Sequence, residues 1–213
     1  MTSISDETSR RAILDAALTI LTTQGHHALS VRRVASEAGC STIGVYTWFG
    51  GKDGLVDALW IEAFTSFGTA LRKIRPLTGP FGRLRAQAFA YRKWALAHPA
   101  HYQLMFFNVI PEHVPSDDAL VAAAAAYTAL LSAVEEALGR GELRFTDTAL
   151  VAHSCWAMAH GLVTLQIANA GLRGQTDNEK QNKAAFALAI DALMVGLSTQ
   201  PDVSTKPRAT KAI

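Results

Sequence analysis

The spacing of apolar residues between positions 29 and 60 predicts three helices separated by tight turns. In the first of them, apolar residues recur at i, i+3, i+4 and i+7 as one helical stripe, formed by Val31, Val34, Ala35 and Ala38. Ser30 is placed to cap this helix. Gly39 then ends it, because glycine adopts the left-handed conformation of a tight turn without steric cost.

The second helix is expected from about residue 41 to residue 48, with Ile43, Val45 and Tyr46 packing back onto the first. Small Ala35 lets two steeply crossing helices approach each other, while Val34 and Val45 fill the wedge between them. This pattern predicts a helix-turn-helix, in which the second helix enters the major groove of DNA.

The whole chain predicts an all-α fold of about nine helices, because no alternating strand pattern persists and proline and glycine divide it into helical lengths. The expected helices cover about residues 6–23, 31–38, 41–48, 52–73, 81–97, 100–108, 117–138, 148–170 and 178–198. The inner stripe of the first consists of Ala12, Ile13, Ala16, Ala17, Ile20 and Leu21. Segment 75–80, with its two prolines, is the expected domain boundary.

Composition limits where DNA affinity can come from. Hydrophobic residues form 49% of the 213 positions, which is ample for a sizeable core. The net charge of +2 is too small to give the whole protein a strong positive field. Affinity for DNA therefore has to come from a local surface patch, which a symmetric dimer presents twice.

The cysteines and the apolar runs predict a cytoplasmic protein that has no contact with a membrane. Cys40 and Cys155 fall in different elements, which favours reduced thiols over a disulfide. Asp6 and Glu7 precede an amphipathic segment rather than the apolar core of a signal peptide. The alanine-rich run 119–134 is interpreted as too short and too weakly apolar for a membrane span.

The turn and the second helix carry a set of fixed residues: Ala38-Gly39-Cys40-Ser41, Tyr46-Thr47-Trp48-Phe49, Lys52-Asp53 and Leu55. This set resembles the signature of the tetracycline repressor (TetR) family, whose members are dimeric, DNA-binding transcription regulators. The chain departs from that family at Ile43 and Gly44, so base contacts of family members are not transferred to those two positions.

The resemblance and the exposed side of the second helix together give the expected DNA-binding residues, which are Ser30, Arg32, Ser41, Thr42, Gly44, Tyr46, Thr47, Trp48 and Lys52. Ser30, Arg32, Tyr46, Trp48 and Lys52 resemble the family's phosphate contacts, which set register. Thr42 and Thr47 are the candidates for base edges, and Gly44 would let the backbone approach closely.

The resemblance extends into the larger half of the chain, where segments 97–106 and 156–162 look like a TetR subgroup with a C-terminal Trp-x-x-x-His-Gly signature. It implies four regions: a DNA-binding domain (1–51), a connecting helix (52–75), a ligand-binding and dimerisation domain (76–199) and a flexible tail (200–213). The residues expected to line a small-molecule cavity are Phe89, Trp94, Tyr102, Met105, Phe106, Tyr127, Trp156 and His160. The alternative is that these side chains form ordinary core.

The last two helices are apolar nearly all round, and a helix with two apolar faces needs cover on both. One face can pack within the subunit and the other against a partner, as in a two-fold four-helix bundle. The expected dimer interface consists of Phe186, Ile190, Leu193 and Leu197. The alternative is a central core helix in a monomer.

The sequence therefore favours a non-enzymatic, ligand-responsive regulator, most often a repressor, that binds a palindromic operator as a homodimer and is released by a largely apolar effector. One alternative is an all-helical enzyme that uses His160 as a base, and another is a DNA-binding scaffold without an effector. No cofactor is expected. A metal site at His98, His101, His153 or His160 is not favoured, because neither cysteines nor carboxylates cluster with them.

Overall fold

The regular structure is helical throughout the part of the chain that the computed structural model describes, residues 4–168 and 179–199. The helices there are α1 (Ile4–Gln24), α2 (Val31–Glu37), α3 (Thr42–Phe49), α4 (Lys52–Arg72), α5 (Gly82–Ala97), α6 (Pro99–Phe106), α7 (Asp117–Gly139), α8 (Thr148–Ile167) and α9 (Glu179–Leu197), with a short 3-10 turn at His26–Ala28. The expected all-α fold is confirmed. The expected tail 200–213 lies outside the described residues.

The chain divides into two compact units. The first unit comprises Met1–Arg72 and Lys93–Ala129, and the second comprises Lys73–Arg92 and Leu130–Ile213. The first division, after Arg72, lies close to the predicted boundary at 75–80. The four-region scheme drawn from the sequence remains a prediction, because the first unit also takes in residues 93–129.

The core of the first unit forms where α1, α2, α3 and α4 bury their apolar stripes. Its fully buried side chains include Ile13, Leu14, Ala17 and Ile20 of α1, Val34 of α2, Val45 of α3, and Leu55, Val56 and Leu59 of α4. Leu104 of α6 and Ile110 after it join the same cluster. The predicted stripe of α1 is largely confirmed, with Leu14 as an addition.

The turn between α2 and α3 has the local structure that its residues predict. Ser30 Oγ accepts a hydrogen bond from the Arg33 backbone N–H at 3.3 Å and so caps α2. Gly39 has a φ of 66°, the left-handed conformation that ends the helix. Ser41 Oγ caps α3 by accepting from the Gly44 N–H at 3.2 Å. The helix-turn-helix is therefore defined by local hydrogen bonds as well as by packing.

The packing predicted for α3 is only partly correct. Val45 is fully buried, as expected, but the Ile43 side chain is 74% exposed and the Tyr46 side chain 57% exposed. An eight-residue helix packed along one side can bury only the positions that face its neighbours. Ile43 and Tyr46 belong to the opposite, outward side of α3.

The prediction that the alanine-rich run is too short and too weakly apolar for a membrane span does not hold for the helix that contains it. The run belongs to α7, whose 23 residues include a window with a mean hydropathy of 1.4, long and apolar enough to cross a membrane by those criteria alone. Core helices of soluble proteins meet the same criteria, although only 28% of this window is buried inside the described structure. Glu136 in α7 pairs with Arg83 of α5 at 2.6 Å, an ion pair that suits packing within a protein.

Candidate functional site

The outward side of the helix-turn-helix carries most of the predicted DNA-binding residues. The exposed ones are Ser30, Arg32, Ser41, Thr42, Tyr46 and Thr47, and the partly buried ones are Gly44, Trp48 and Lys52. Trp48 also packs against the core of the first unit, so only part of its ring is accessible. The fold thus presents polar side chains from α2, α3 and the start of α4 to solvent.

The hydroxyl groups of this surface are partly committed to the backbone. Ser30 and Ser41 each accept a capping hydrogen bond, which leaves their O–H hydrogens available to a partner. Thr47 Oγ1 donates to the Ile43 carbonyl at 2.8 Å, which leaves its lone pairs as acceptors. The serines are therefore suited to donate to phosphate oxygens, whereas Thr47 is suited to accept from a donor.

Gly44 in α3 is not required by the fold. A Cβ atom built there would meet only Ser41 Oγ at 3.8 Å and Cys40 Sγ at 4.0 Å, which are ordinary contacts. Gly54 in α4 differs sharply, because a Cβ there would lie 2.0 Å from the Phe49 carbonyl oxygen. The fold of the subunit therefore tolerates a side chain at position 44.

Lys52, at the start of α4, has a partner that the sequence did not indicate. Its Nζ donates to Glu112 Oε1 at 3.2 Å, and His26 Nε2 lies 4.0 Å from the other oxygen of the same carboxylate. Hydrogen bonds from its own backbone and from Lys52 hold the pKa of Glu112 below its usual value. Glu112 therefore remains ionised beside the lysine expected to contact phosphate.

Behind this surface, two carboxylates of α4 anchor neighbouring segments of the first unit. Glu62 accepts from His101 Nε2 at 3.4 Å and from Arg11 Nη1 at 2.7 Å, which together lower its pKa to about 2. Asp57 Oδ1 lies 3.0 Å from Nε2 of buried His113. Glu62 thereby joins α1 and α6 to α4, and Asp57 joins the segment after α6 to α4, through polar groups as well as apolar packing.

The predicted cavity residues fall in both units, and each set is described separately. In the first unit, Trp94, Tyr102 and Met105 are buried, while Phe106 and Tyr127 are partly buried. The Phe106 ring lies 5.0 Å from the Tyr102 ring, and Phe67 lies 5.1 Å from Trp94. These distances describe a packed aromatic cluster on α4, α5 and α6.

In the second unit, His160 of α8 pairs with Tyr91 of α5. The Tyr91 hydroxyl lies 2.9 Å from His160 Nδ1, and the Trp156 ring lies 5.8 Å from the imidazole. Burial lowers the pKa of His160, which favours the neutral imidazole. Phe89 packs at 5.7 Å from Phe186 of α9. Tyr91 was missing from the sequence prediction because nothing in a one-dimensional pattern links it to a residue 69 positions away.

Of the two apolar faces of α9, the structure buries within the subunit the face that is predicted to form the dimer interface. Phe186, Ile190 and Leu197 are buried inside the subunit and Leu193 is partly buried, so the predicted interface residues belong largely to the subunit core. The outward face instead presents Ala184, Leu188, Ala192 and Val195, and α8 adds Leu150, Ala157, Met158 and Leu165. A Cβ on Gly161 of α8 would meet nothing within 4 Å. Among the described residues, the apolar stripe that stays exposed is therefore on the opposite side of α9 from the one expected.

Both cysteines are free thiols, and burial raises the pKa of Cys155 to about 11. Cys155 is accordingly protonated at neutral pH, which does not suit a nucleophile. Within residues 4–168 and 179–199, no group of three or more His, Cys, Asp or Glu side chains could hold a metal ion.

Comparison with known proteins covers both parts of the chain. The family model for bacterial regulatory proteins of the tetR family matches residues 13–59, and that for the tetracyclin repressor-like C-terminal domain matches residues 84–193. The HTH-type transcriptional regulator Rv1816 of Mycobacterium tuberculosis is 27% identical over 145 residues, which are 66% of this chain. The match spans 58% of that regulator, less than two thirds of its length.

Solved structures agree over nearly the whole chain. A protein of unknown function from Rhodococcus sp. RHA1 has a TM-score of 0.73 at 28% identity, covering 89% of this chain and 95% of that one. The putative regulatory protein SCO4313 has a TM-score of 0.72 at 25% identity, covering 89% and 96%. Membership of the Trp-x-x-x-His-Gly subgroup remains a prediction. The C-terminal family model alone matches more than half of the 213 residues, and with the helix-turn-helix match it establishes that the chain belongs to the tetracycline repressor (TetR) family of transcriptional regulators.

Proposed function

We propose that this regulator is a homodimeric repressor that binds a palindromic operator and is released from it by a small, largely apolar effector. The observation that carries the proposal is the outward surface of α2 and α3, where the exposed hydroxyls and Arg32 surround a helix that packs on the core through fully buried Val45. Hydroxyls, arginines and helix-start lysines are the groups that position a protein on phosphates. The net charge of +2 makes this local surface more important than the overall field.

The exposed stripe of α8 and α9 supports a two-fold dimer. Leu188, at 72% exposure, and Val195, at 52%, lie on one face of α9 with Ala192 between them. Leu165 and Met158 add apolar area on α8. A partner copy that packs the same stripe against this one would bury all of it in a four-helix bundle.

Dimerisation would also explain how a short recognition helix achieves specific binding. Two copies of α3 related by a two-fold axis match two half-sites about 34 Å apart, one turn of B-DNA. The operator is then a palindrome whose half-sites are contacted by Thr42, Gly44 and Thr47, with Ser30, Tyr46 and Lys52 on the flanking phosphates.

For the effector, the Tyr91–His160 pair beside Trp156 provides polar groups among apolar ones, the usual composition of a small-molecule site. A neutral His160 places no charge in such a site, and its ring nitrogens lie 2.9 Å from the Tyr91 hydroxyl and 3.5 Å from Thr164 Oγ1. An effector that binds the DNA-free form more tightly must weaken operator binding by the same factor, because linkage is reciprocal.

Mapping the sites occupied by the full-length chain in its host, together with transcript levels in a strain that lacks it, tests the proposal. We expect a few palindromic sites near promoters and a rise of the adjacent transcripts in the deletion strain. A fall of those transcripts would make the protein an activator. Occupancy spread without sequence preference would contradict operator binding.

A further inference from the structure

The recognition helix α3 presents an isoleucine to solvent in its first turn. Ile43 is 74% exposed, and it lies one helical turn before Thr47 on the same side. Isolated exposed apolar residues are common on protein surfaces. Ile43 differs from such isolated residues because it lies on the outward side of α3, between the predicted base-contacting residues Thr42 and Thr47 in the sequence.

No side chain of α3 can recognise a base by paired hydrogen bonds. The helix reads Thr-Ile-Gly-Val-Tyr-Thr-Trp-Phe, without Arg, Lys, Asn, Gln, Asp or Glu. Guanine is usually recognised by Arg or Lys, and adenine by Asn or Gln, through two hydrogen bonds to the base edge. Base recognition by α3 must therefore depend on hydroxyl groups, the backbone and apolar contacts.

The hydroxyl group of Thr47 further limits which base groups α3 can recognise. Because Thr47 Oγ1 donates its hydrogen to the Ile43 carbonyl at 2.8 Å, its remaining capacity is to accept. In the major groove, only the amino groups of adenine and cytosine donate hydrogen bonds. The same groove offers one apolar group, the C5-methyl of thymine.

We propose that Ile43 is a specificity-determining residue that packs against the C5-methyl group of a thymine in each operator half-site. The inference rests on the proposed function as a DNA-binding regulator and names the base that α3 recognises. Contact between the isoleucine side chain and the methyl group removes both from water without an unpaired polar atom. A cytosine at that position has no methyl group, and its amino group would lose its water to an apolar side chain.

The experiment uses the full-length chain and a library of random-sequence DNA duplexes. Duplexes retained by the wild-type chain are sequenced, and in the tightest one each thymine is replaced in turn by deoxyuridine, which lacks only the methyl group. At one thymine per half-site we expect about a fourfold loss of affinity, the value of one buried methyl group. Ile43→Ala should bind the thymine and deoxyuridine duplexes equally well.

Val121→Ala serves as the matched control, because Val121 is 66% exposed on α7, outside the helix-turn-helix. This variant should lose affinity on the deoxyuridine duplex to the same extent as wild type. If no sequence is enriched by the wild-type chain, the proposed function itself fails. If a sequence is enriched but every deoxyuridine duplex binds normally, or if Ile43→Ala remains as sensitive as wild type, only the thymine contact is overturned.

Discussion

Glu112 Oε1 accepts a hydrogen bond from Lys52 Nζ at 3.2 Å, although the two residues are 60 positions apart. The lysine expected to bind a DNA phosphate thus already has a carboxylate partner in the same subunit. A phosphate that approaches Lys52 competes with Glu112 for its donors and is also repelled by the negative charge. We therefore expect the pair to weaken DNA binding for every sequence alike.

Glu112→Gln should raise affinity for all duplexes severalfold, with the largest effect at low salt, because an uncharged amide neither repels phosphate nor holds Lys52 as strongly. Lys52→Ala should lower affinity for all sequences and reduce the salt slope by about one for each lost phosphate contact. Fluorescence anisotropy over a salt series measures both. Glu135→Gln removes a similar exposed charge from α7 and is the control. If Glu112→Gln and Glu135→Gln raise DNA affinity equally, the Lys52–Glu112 pair has no specific role.

Gly44→Ala should separate folding from DNA binding. The added Cβ has ordinary contacts inside the subunit, and alanine stabilises a helix by about 0.5–1 kcal/mol relative to glycine, so the Tm should stay level or rise. Operator affinity should fall roughly tenfold, because a methyl group forced into a close interface costs about 1–3 kcal/mol.

Gly54→Ala is the contrasting variant, since its Cβ would lie 2.0 Å from a backbone oxygen. Thermal melts and operator titrations of Gly54→Ala should show a lower Tm and weaker operator binding. Unchanged operator affinity in Gly44→Ala would mean that the backbone at position 44 does not approach the DNA.

Leu188→Glu and Val195→Glu should give folded monomers. Both side chains are exposed in the subunit, but in the proposed dimer each glutamate would be buried without a partner, at a cost of several kcal/mol. Ile190→Glu should instead unfold the chain, because Ile190 is fully buried within the subunit. Analytical ultracentrifugation with far-UV circular dichroism distinguishes the two outcomes. Val121→Glu, on the exposed face of α7, should leave the oligomeric state unchanged. Dimers in both surface variants would require a different interface.

Replacing His160 or Trp156 by alanine should weaken the response to effector while leaving operator affinity within a few-fold. The two rings lie 5.8 Å apart, and Tyr91 holds His160 Nδ1 at 2.9 Å. Tyr91→Phe removes that hydroxyl with little change of volume and should shift effector affinity by about 1 kcal/mol. Operator release is titrated with the cognate effector in each variant. If the variants lose thermal stability and operator binding together, with normal effector affinity, these residues are structural.

Glu62→Gln should destabilise the first unit by about 1–2 kcal/mol at pH 7, through weaker hydrogen bonds with His101 and Arg11. Those two partners lower the pKa of Glu62 from 4.5 to about 2, so the unfolded chain takes up its proton first as the pH falls. The stabilisation is complete above pH 4.5 and is lost as the pH falls towards 2. Urea denaturation at several pH values should therefore show wild type and variant converging in acid. A constant difference from pH 7 to pH 3 would contradict the linkage.

Helix positions could be predicted from the sequence because their causes are local. Ser30 caps α2 through a residue three positions away, and Gly39 ends it through its own φ of 66°. The buried positions Val34, Val45 and Leu55 follow from helical spacing, which requires no knowledge of the partner. The family signature lies in the same stretch, so the assignment as a DNA-binding regulator could also be made before the fold was known.

The faces and partners of these helices were decided only by the tertiary structure. Both sides of α9 are apolar, so periodicity could not say that Phe186 faces inward and Leu188 outward. Ile43 is as apolar as Val45, but only the packing of α2 and α4 determines which of them is buried. The pairs Lys52–Glu112 and Tyr91–His160 join residues 60 and 69 positions apart. Such contacts depend on how the helices fold back on one another, whereas caps, turns and stripes depend on residues within about two turns of the chain.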